Sequence, residues 1–582
     1  MLILAIYSYA AIKTRATTGP NALPTVFAPD VSLYLNVSQL KNLDSGGVLE
    51  PYYKIAVPPV RLGYLKFRLA FVLFGYLNSL LFGHLALTLM VWNLLWWGLL
   101  CALALWLLQR FLPDASVGIV LSGLAFLLLF NFGLLKPQVL AWLHPFLLAG
   151  FQDLQLPYIR PFFPQLPIVF LVGYIGLQIE ALRRQSPWWW VAMAALQIIA
   201  FMIFPYTIVM MAGTTAVATL GQFLSERAPL RWRVLLLYAA GCGISDLIFF
   251  LHGDAVLRAG APEQHALLHF QLSLLPHMIG GAWLFIALLT ALVVISPGFA
   301  PEVRWTLAGL GVSNLIFLVG DTFFAVTSLQ MSHHAGYFVQ ITTAILFVFL
   351  FSAAYKRLGF WSAAVRLVPA AVLLFLLING AILTRAAYVT FLPLNRERAD
   401  FARLLKSHPT NSHDLVIARS QFSDDPATWI PLLTDAETLF CRNAQYLLVP
   451  EQNRDINRFR QAMYLYFTGR GTAWLDQVLA NPKDAGDLMQ LAFAAQITSF
   501  EGKERQTGAD IVREEIAPWL AKVESHAPES REFFNKYRTI LVVDDIKNRS
   551  FVVPQVQSYL KITSEENFGE LIVLTCVPED GT

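Results

Sequence analysis

Long apolar runs follow one another from the first residue to about position 384. A hydrocarbon core of ~30 Å takes about 20 apolar residues per crossing helix. By that measure the pattern predicts eleven spans, near 1–12, 86–109, 116–135, 165–182, 188–204, 206–224, 234–251, 278–297, 305–327, 338–355 and 363–384. The stretch YLKFRLAFVLFGYLNSLLFG at 64–83 is also apolar, but basic residues precede it and it runs straight into the next segment. It reads as an interfacial helix leading into the second span, with a twelfth span as the alternative. The first segment, MLILAIYSYAAI, is short and carries its positive charges, Lys13 and Arg15, after the apolar run. A secretory signal has the opposite order. The expectation is a chain that begins within its first helix, or a short tilted one.

From about residue 395 the period changes. DLVIARS, TILVVDD and ELIVLTCV read as short buried strands, and DINRFRQAMYLYF and GADIVREEIAPWLAKVESH as amphipathic helices. The expected fold class is therefore a polytopic α-helical membrane domain, residues 1–394, with a large first outer loop at 13–85. A soluble C-terminal α/β domain, residues 395–582, follows on the outer side. No Gly-rich phosphate loop or nucleophile elbow is visible in it. In VVDD, Asp544 and Asp545 are expected to end a strand rather than pair on a metal.

Composition agrees with the split. The chain is 56% hydrophobic and 14% charged, with mean hydropathy +0.55, whereas soluble domains carry about 25% charged residues. Residues 1–394 hold 21 Lys/Arg against 12 Asp/Glu, and residues 395–582 hold 21 against 27. The basic excess thus belongs to the membrane half and forms no stripe suited to nucleic acid, which is excluded as a partner. Cys101, Cys242, Cys441 and Cys576 have no metal-type spacing; pairing of Cys441 with Cys576 stays open.

Lys/Arg in short loops set orientation, because such loops stay cytoplasmic. Arg110, Arg183 with Arg184, the cluster Arg227, Arg231 and Arg233, then Arg304, then Lys356 with Arg357 fall on every second loop. The opposite face receives 13–85, 136–164, 252–277, 328–337 and everything after Arg385. That face gathers Asp30, Asp44, Glu50, Asp153, Asp254 and Glu263, together with Arg160, Arg258, His265, His269, His277, His333 and His334. Carboxylates able to take a proton and cations able to hold an anion therefore share one side.

With these pieces in place the layout resembles the GT-C superfamily of membrane glycosyltransferases. The matching segments are PDVSLYLN at 29–36, LEPYYKIAVPP at 49–59, the interfacial stretch 64–83, LPYIRPFFPQLP at 156–167 and QMSHHAGYF at 330–338. The paired acid common in several such families is absent: Pro29 precedes a single Asp30. The resemblance implies a polyprenyl-phosphate-sugar donor in the bilayer and an acceptor that is a glycan, a lipid or a protein. It implies transfer at the extracytoplasmic face of a bacterial inner membrane, with the endoplasmic reticulum as alternative. Asp30 is then the candidate general base. Arg160, in a Pro-rich turn, would present a planar fork to phosphate, with Arg258, His333, His334 and Tyr337 as further phosphate or sugar contacts. No cofactor is implied and no set of metal ligands is recognisable from spacing; a divalent metal stays open. Two other classes compete: a transporter or lipid flippase, and a non-catalytic relative whose outer domain binds a partner.

Overall fold

The computed structural model describes residues 1–19, 65–112, 116–131, 165–204, 206–226, 281–320, 331–358, 363–408, 410–419, 426–440, 454–480 and 516–579, with isolated positions between them. The chain divides into two compact units. One is built from Met1–Ala16, Gly63–Asp254 and His265–Leu392, the other from Thr17–Leu62, Ala255–Gln264 and Pro393–Thr582.

The first unit is helical: α1 (Leu2–Thr18), α2 (Leu65–Leu80), α3 (Leu85–Phe111), α4 (Val117–Leu129), α5 (Gln165–Arg184), α6 (Pro187–Ile203), α7 (Thr207–Glu226), α8 (Gly281–Ile295), α9 (Pro301–Leu318), α10 (Met331–Leu358) and α11 (Ala363–Ser407). Among the described residues α3, α5, α7, α10 and α11 contain stretches long and apolar enough to cross a membrane, and α2, α4, α6 and α8 contain shorter apolar stretches. Of the expected span at 234–251, only Leu236, residues 238–241 and Gly243 are described, all helical.

Three boundaries differ from expectation for local reasons. Helix α1 does not stop at residue 12 but continues through Lys13 and Arg15, both good helix formers, to Thr18. It ends at Gly19, which takes a φ of 95° open to glycine without a side-chain clash, ahead of Pro20. Helix α10 begins at Met331 rather than 338, so His333 and His334 lie in its first turn. Helix α11 continues through Pro393 for 45 residues in all, so helix rather than loop carries the chain past position 394.

Side-chain contacts fix helix directions within this unit. Tyr7 lies 5.0 Å from Trp97 and Arg15 reaches Met90, so α1 and α3 are antiparallel. Asn78 accepts from Thr88 at 2.9 Å and Phe74 meets Trp92 at 5.4 Å, folding α2 back on the start of α3. Tyr206 stacks on Phe317, and Trp305 Nε1 donates to Ser225 Oγ at 2.9 Å, so α7 and α9 are antiparallel. That pair is sealed by small residues: a Cβ on Gly309 would stand 2.4 Å from the Thr214 carbonyl oxygen, and one on Gly213 2.5 Å from Ser313 Oγ. Close approach of this kind is how helices associate where lipid removes the hydrophobic drive. Helices α3 and α5 run parallel, because Glu180 near the end of α5 accepts from Arg110 Nε near the end of α3 and from Arg184 Nε, both at 2.6 Å.

The second unit carries a five-stranded sheet: β1 (Asp414–Ala418), β2 (Glu437–Thr438), β3 (Thr539–Asp545), β4 (Leu560–Phe568) and β5 (Leu571–Pro578), in the order β2-β1-β3-β5-β4. β2, β1 and β3 are parallel, with Asp414 opposite Thr539 and Ala418 opposite Val543. β5 is antiparallel to both β3 and β4, and the β4–β5 register slips between Ile562 and Ser564. Strands β1 and β3 are buried along nearly their whole length, which explains their continuous apolar sequence. Leu415, Ile417, Ile540, Val542, Ile572 and Leu574 share a core with residues of α13 (Arg454–Phe467), α15 (Ala517–Glu524) and α17 (Arg549–Gln557). The remaining helices of the unit are α12 (Pro426–Leu433), which packs on β1 and β2, α14 (Thr472–Ala480) and α16 (Pro528–Glu532). β4 was missed in the sequence because its pattern is polar on most positions, as an exposed edge strand requires. Cys576 in β5 is a free thiol whose pKa burial pushes up to about 12.

Candidate functional site

Each end of the helical unit has its own chemistry. At one end the carboxylate of Glu180 is buried and joined to two half-exposed arginines, and Arg184 also covers the ring of Trp189 at 5.1 Å. The Glu180 carboxylate is thus matched by two cations. Between the ends, Tyr174, Gln178, Gln197, Thr215 and Tyr238 form a closed network. Thr215 Oγ1 donates to Gln178 Oε1 at 2.8 Å, Gln178 Nε2 donates to the Thr214 carbonyl at 3.2 Å, and the Tyr174 hydroxyl bonds Thr215 at 2.6 Å and Tyr238. Tyr238 in turn donates to Gln197. Hydroxyls on neighbouring helices use their own backbone: Ser122 donates to the Gly118 carbonyl, Thr290 to Ile286 and Thr343 to Val339, at 2.7–2.8 Å.

The other end departs from this rule. Trp92 Nε1, Trp96 Nε1, Asn93 Oδ1, the Tyr158 hydroxyl and both amide atoms of Gln165 are buried, and none has a hydrogen-bond partner among the described residues. Gln165 is completely enclosed, at 0% exposure. Other such atoms occur among the described residues, at Trp190, Thr306, Ser313, Asn314 and Asn395 for example. Each such atom costs about 1–3 kcal/mol, and native proteins keep them few. Here six such atoms, on five residues, fall in one neighbourhood.

The neighbourhood is local. Trp92 and Trp96 are one turn apart on α3, 5.4 Å between rings, and face the lead-in and first turns of α5 through Phe162 at 5.4 Å and Phe170 at 6.0 Å. Gln165 opens α5, one turn beyond Phe162. Trp97 Nε1 donates to the Tyr158 carbonyl at 3.1 Å. Tyr158 and Phe162 both hold positive φ, 62° and 66°. A bulky residue in that region costs of order 1–3 kcal/mol and persists only where its surroundings hold it. Here the indole of Trp97 holds one, and the rings of Phe71, Phe74 and Trp92 enclose the other. The segment between these two fixed points contains Arg160.

Of the site residues expected from sequence, Asp30, Arg160 and Arg258 lie outside the described residues, as do the side chains of His333 and His334. Tyr337 is buried on α10, its ring 6.1 Å from that of Phe204, in an aromatic cluster with Phe317 and Phe338. The neutral cluster of Trp92, Asn93, Trp96, Tyr158 and Gln165 was not foreseen. Ionisable groups on the outer side bear the expectations from sequence, which assign no role to neutral polar residues inside apolar runs.

In the sheet unit Asp544 and Asp545 do end a strand. Asp544 Oδ1 accepts from Asp545 N and from Asn548 Nδ2, both at 2.7 Å, and Asp545 Oδ1 caps Lys547 N at 2.9 Å. Burial raises the pKa of Asp544. Among the described residues no group of three His, Cys, Asp or Glu side chains is arranged to hold a metal ion.

No family model matches the chain, and no curated protein matches it.

Proposed function

We propose that this protein is an integral-membrane glycosyltransferase of GT-C-like layout, with about eleven spans. It moves a sugar from a polyprenyl-phosphate carrier to an acceptor on the extracytoplasmic face. The observation that carries the reading is the cluster of buried, partnerless polar groups at one end of the helical unit. By chain connection that end gives rise to the loops bearing Asp30, Arg160 and Arg258, while the arginine-rich end takes the cytoplasmic side by the positive-inside rule. Indole N–H groups, a primary amide, an amide oxygen and a phenol suit a hydroxyl-rich ring, since each meets the donors and acceptors of a sugar.

In this reading Asp30 takes the acceptor's proton as the carrier phosphate departs, and Arg160, Arg258, His333 and His334 support the departing anion. The closed midbundle network is hydrogen-bonded throughout and supports a packed bundle more than a transport path. The test uses full-length protein in lipid nanodiscs with a radiolabelled polyprenyl-phosphate sugar and a membrane extract as acceptor source. Asp30→Asn preserves a helix cap equally well but removes the base, so transfer is expected to fall by about 10²–10⁴-fold. Near-normal transfer by that variant would refute the assignment of Asp30.

A further inference from the structure

Arg15 is the residue that the reading above leaves unused. It sits in the last turn of α1, half-buried, and its Nη1 lies 3.6 Å from Met90 Sδ. A guanidinium offers five N–H donors and a thioether is a weak acceptor. Among the described residues that sulfur is its hydrogen-bond partner, and no carboxylate pairs with it.

Its position follows from the α1–α3 seam. Met90, Asn93 and Trp97 recur at helical spacing and share one stripe of α3. Tyr7 meets Trp97 at one end of the seam and Arg15 meets Met90 at the other. Asn93, with its orphaned Oδ1, therefore stands between the two contacts, and the Tyr158 backbone is bonded to Trp97 at the inner one. Met90 is five residues into α3, about 8 Å from its start at 1.5 Å per residue, so Arg15 lies near one end of an apolar helix long enough to cross a membrane.

We propose that Arg15 binds the phosphate ester of a bilayer-embedded lipid, with Asn93 and Tyr158 receiving the group attached to it. This rests on the glycosyltransferase reading for the identity of the lipid, but not for the anion site. The planar fork matches phosphate oxygens two at a time, which a lysine ammonium does not. A cation at the end of a helix also favours the helix dipole, and a long cationic chain can snorkel to the surface. Lysine serves both of those roles, so Arg15→Lys separates binding from anchoring.

The experiment titrates a long-chain polyprenyl monophosphate against full-length protein in nanodiscs of zwitterionic lipid, with no acceptor present. Wild type is expected to bind saturably. Arg15→Lys is expected to bind about tenfold more weakly, and Arg15→Gln at least as weakly, both with an unchanged unfolding midpoint. Competition by inorganic phosphate would place recognition in the phosphate itself; its failure to compete, with Arg15 dependence intact, would place it in the lipid ester. Equal saturation by phosphatidylglycerol, or wild-type binding by both variants, would overturn the proposal. The two readings fail separately: sugar transfer that ignores Arg15 removes this inference alone, and Arg15-dependent binding without any transfer removes the glycosyltransferase alone.

Discussion

Two buried polar clusters lie in the same helical unit and obey opposite rules. Around Tyr174, Gln178, Gln197, Thr215 and Tyr238, the polar groups find one another. Around Trp92, Asn93, Trp96, Tyr158 and Gln165, none does. The first arrangement fixes how helices α5, α6 and α7 pack, since a satisfied network makes one register better than its neighbours. The second leaves its polar groups uncompensated and costs stability. Proteins accept such costs at sites that work on something else.

The contrast breaks most readily at Gln178. Gln178→Leu removes the second bond to the Thr214 carbonyl and the acceptor of the Thr215 hydroxyl in an apolar interior. The expected loss is about 2 kcal/mol, read as a fall of several degrees in the unfolding midpoint in nanodiscs. An unchanged midpoint would mean that water already serves the network. The sign should reverse at the other cluster. Gln165→Leu removes two orphaned amide atoms at nearly constant volume, so the variant should gain about 1 kcal/mol while using the lipid-linked donor less well. A loss of stability there would show that Gln165 is satisfied in the membrane and is no part of a site.

The smallest effect sharpens the comparison with a group that is partnered and yet strained by burial. Because burial raises the folded-state pKa of Asp544, the folded chain holds that proton more tightly than the unfolded one. The stability this group contributes is fully present below the ordinary carboxyl value of about 4 and is lost as pH rises through the raised value. Asp544→Asn keeps an acceptor for Asp545 N and Asn548 Nδ2 and removes the titration. Hydrogen exchange at β3, corrected for intrinsic rates, should lose its pH slope just above pH ~4, with less than about 1 kcal/mol of change at neutral pH.

Most of the helices were legible in the sequence because an apolar run of spanning length has few other uses. The ends of α3, α5, α6 and α7 fall within two residues of expectation for that reason. α1 and α10 overran because polar residues without a breaker do not stop a helix, and α11 ran on even through Pro393. Strands β1, β3 and β5 were legible as buried runs, and β4 was not, since its positions face water. The candidate cluster was illegible for a different reason. Trp92, Asn93 and Gln165 look like the neutral polar residues that bond within the bundle, and only the positions of their neighbours reveal that these ones do not.

Strand β4 has a bearing on how the protein behaves in company. It lies at the end of the sheet order, and it carries Lys561, Glu565 and Glu566 along its length and a slip in register at Ile562 and Ser564. A flat, apolar border would invite a strand from another molecule to dock and extend the sheet from chain to chain. Charged side chains along this one would have to give up water before another strand could pair with it, and the slip bends the hydrogen-bonding line away from straight. In a membrane, where many copies diffuse in two dimensions, such a border resists the growth of encounters into a continuous sheet.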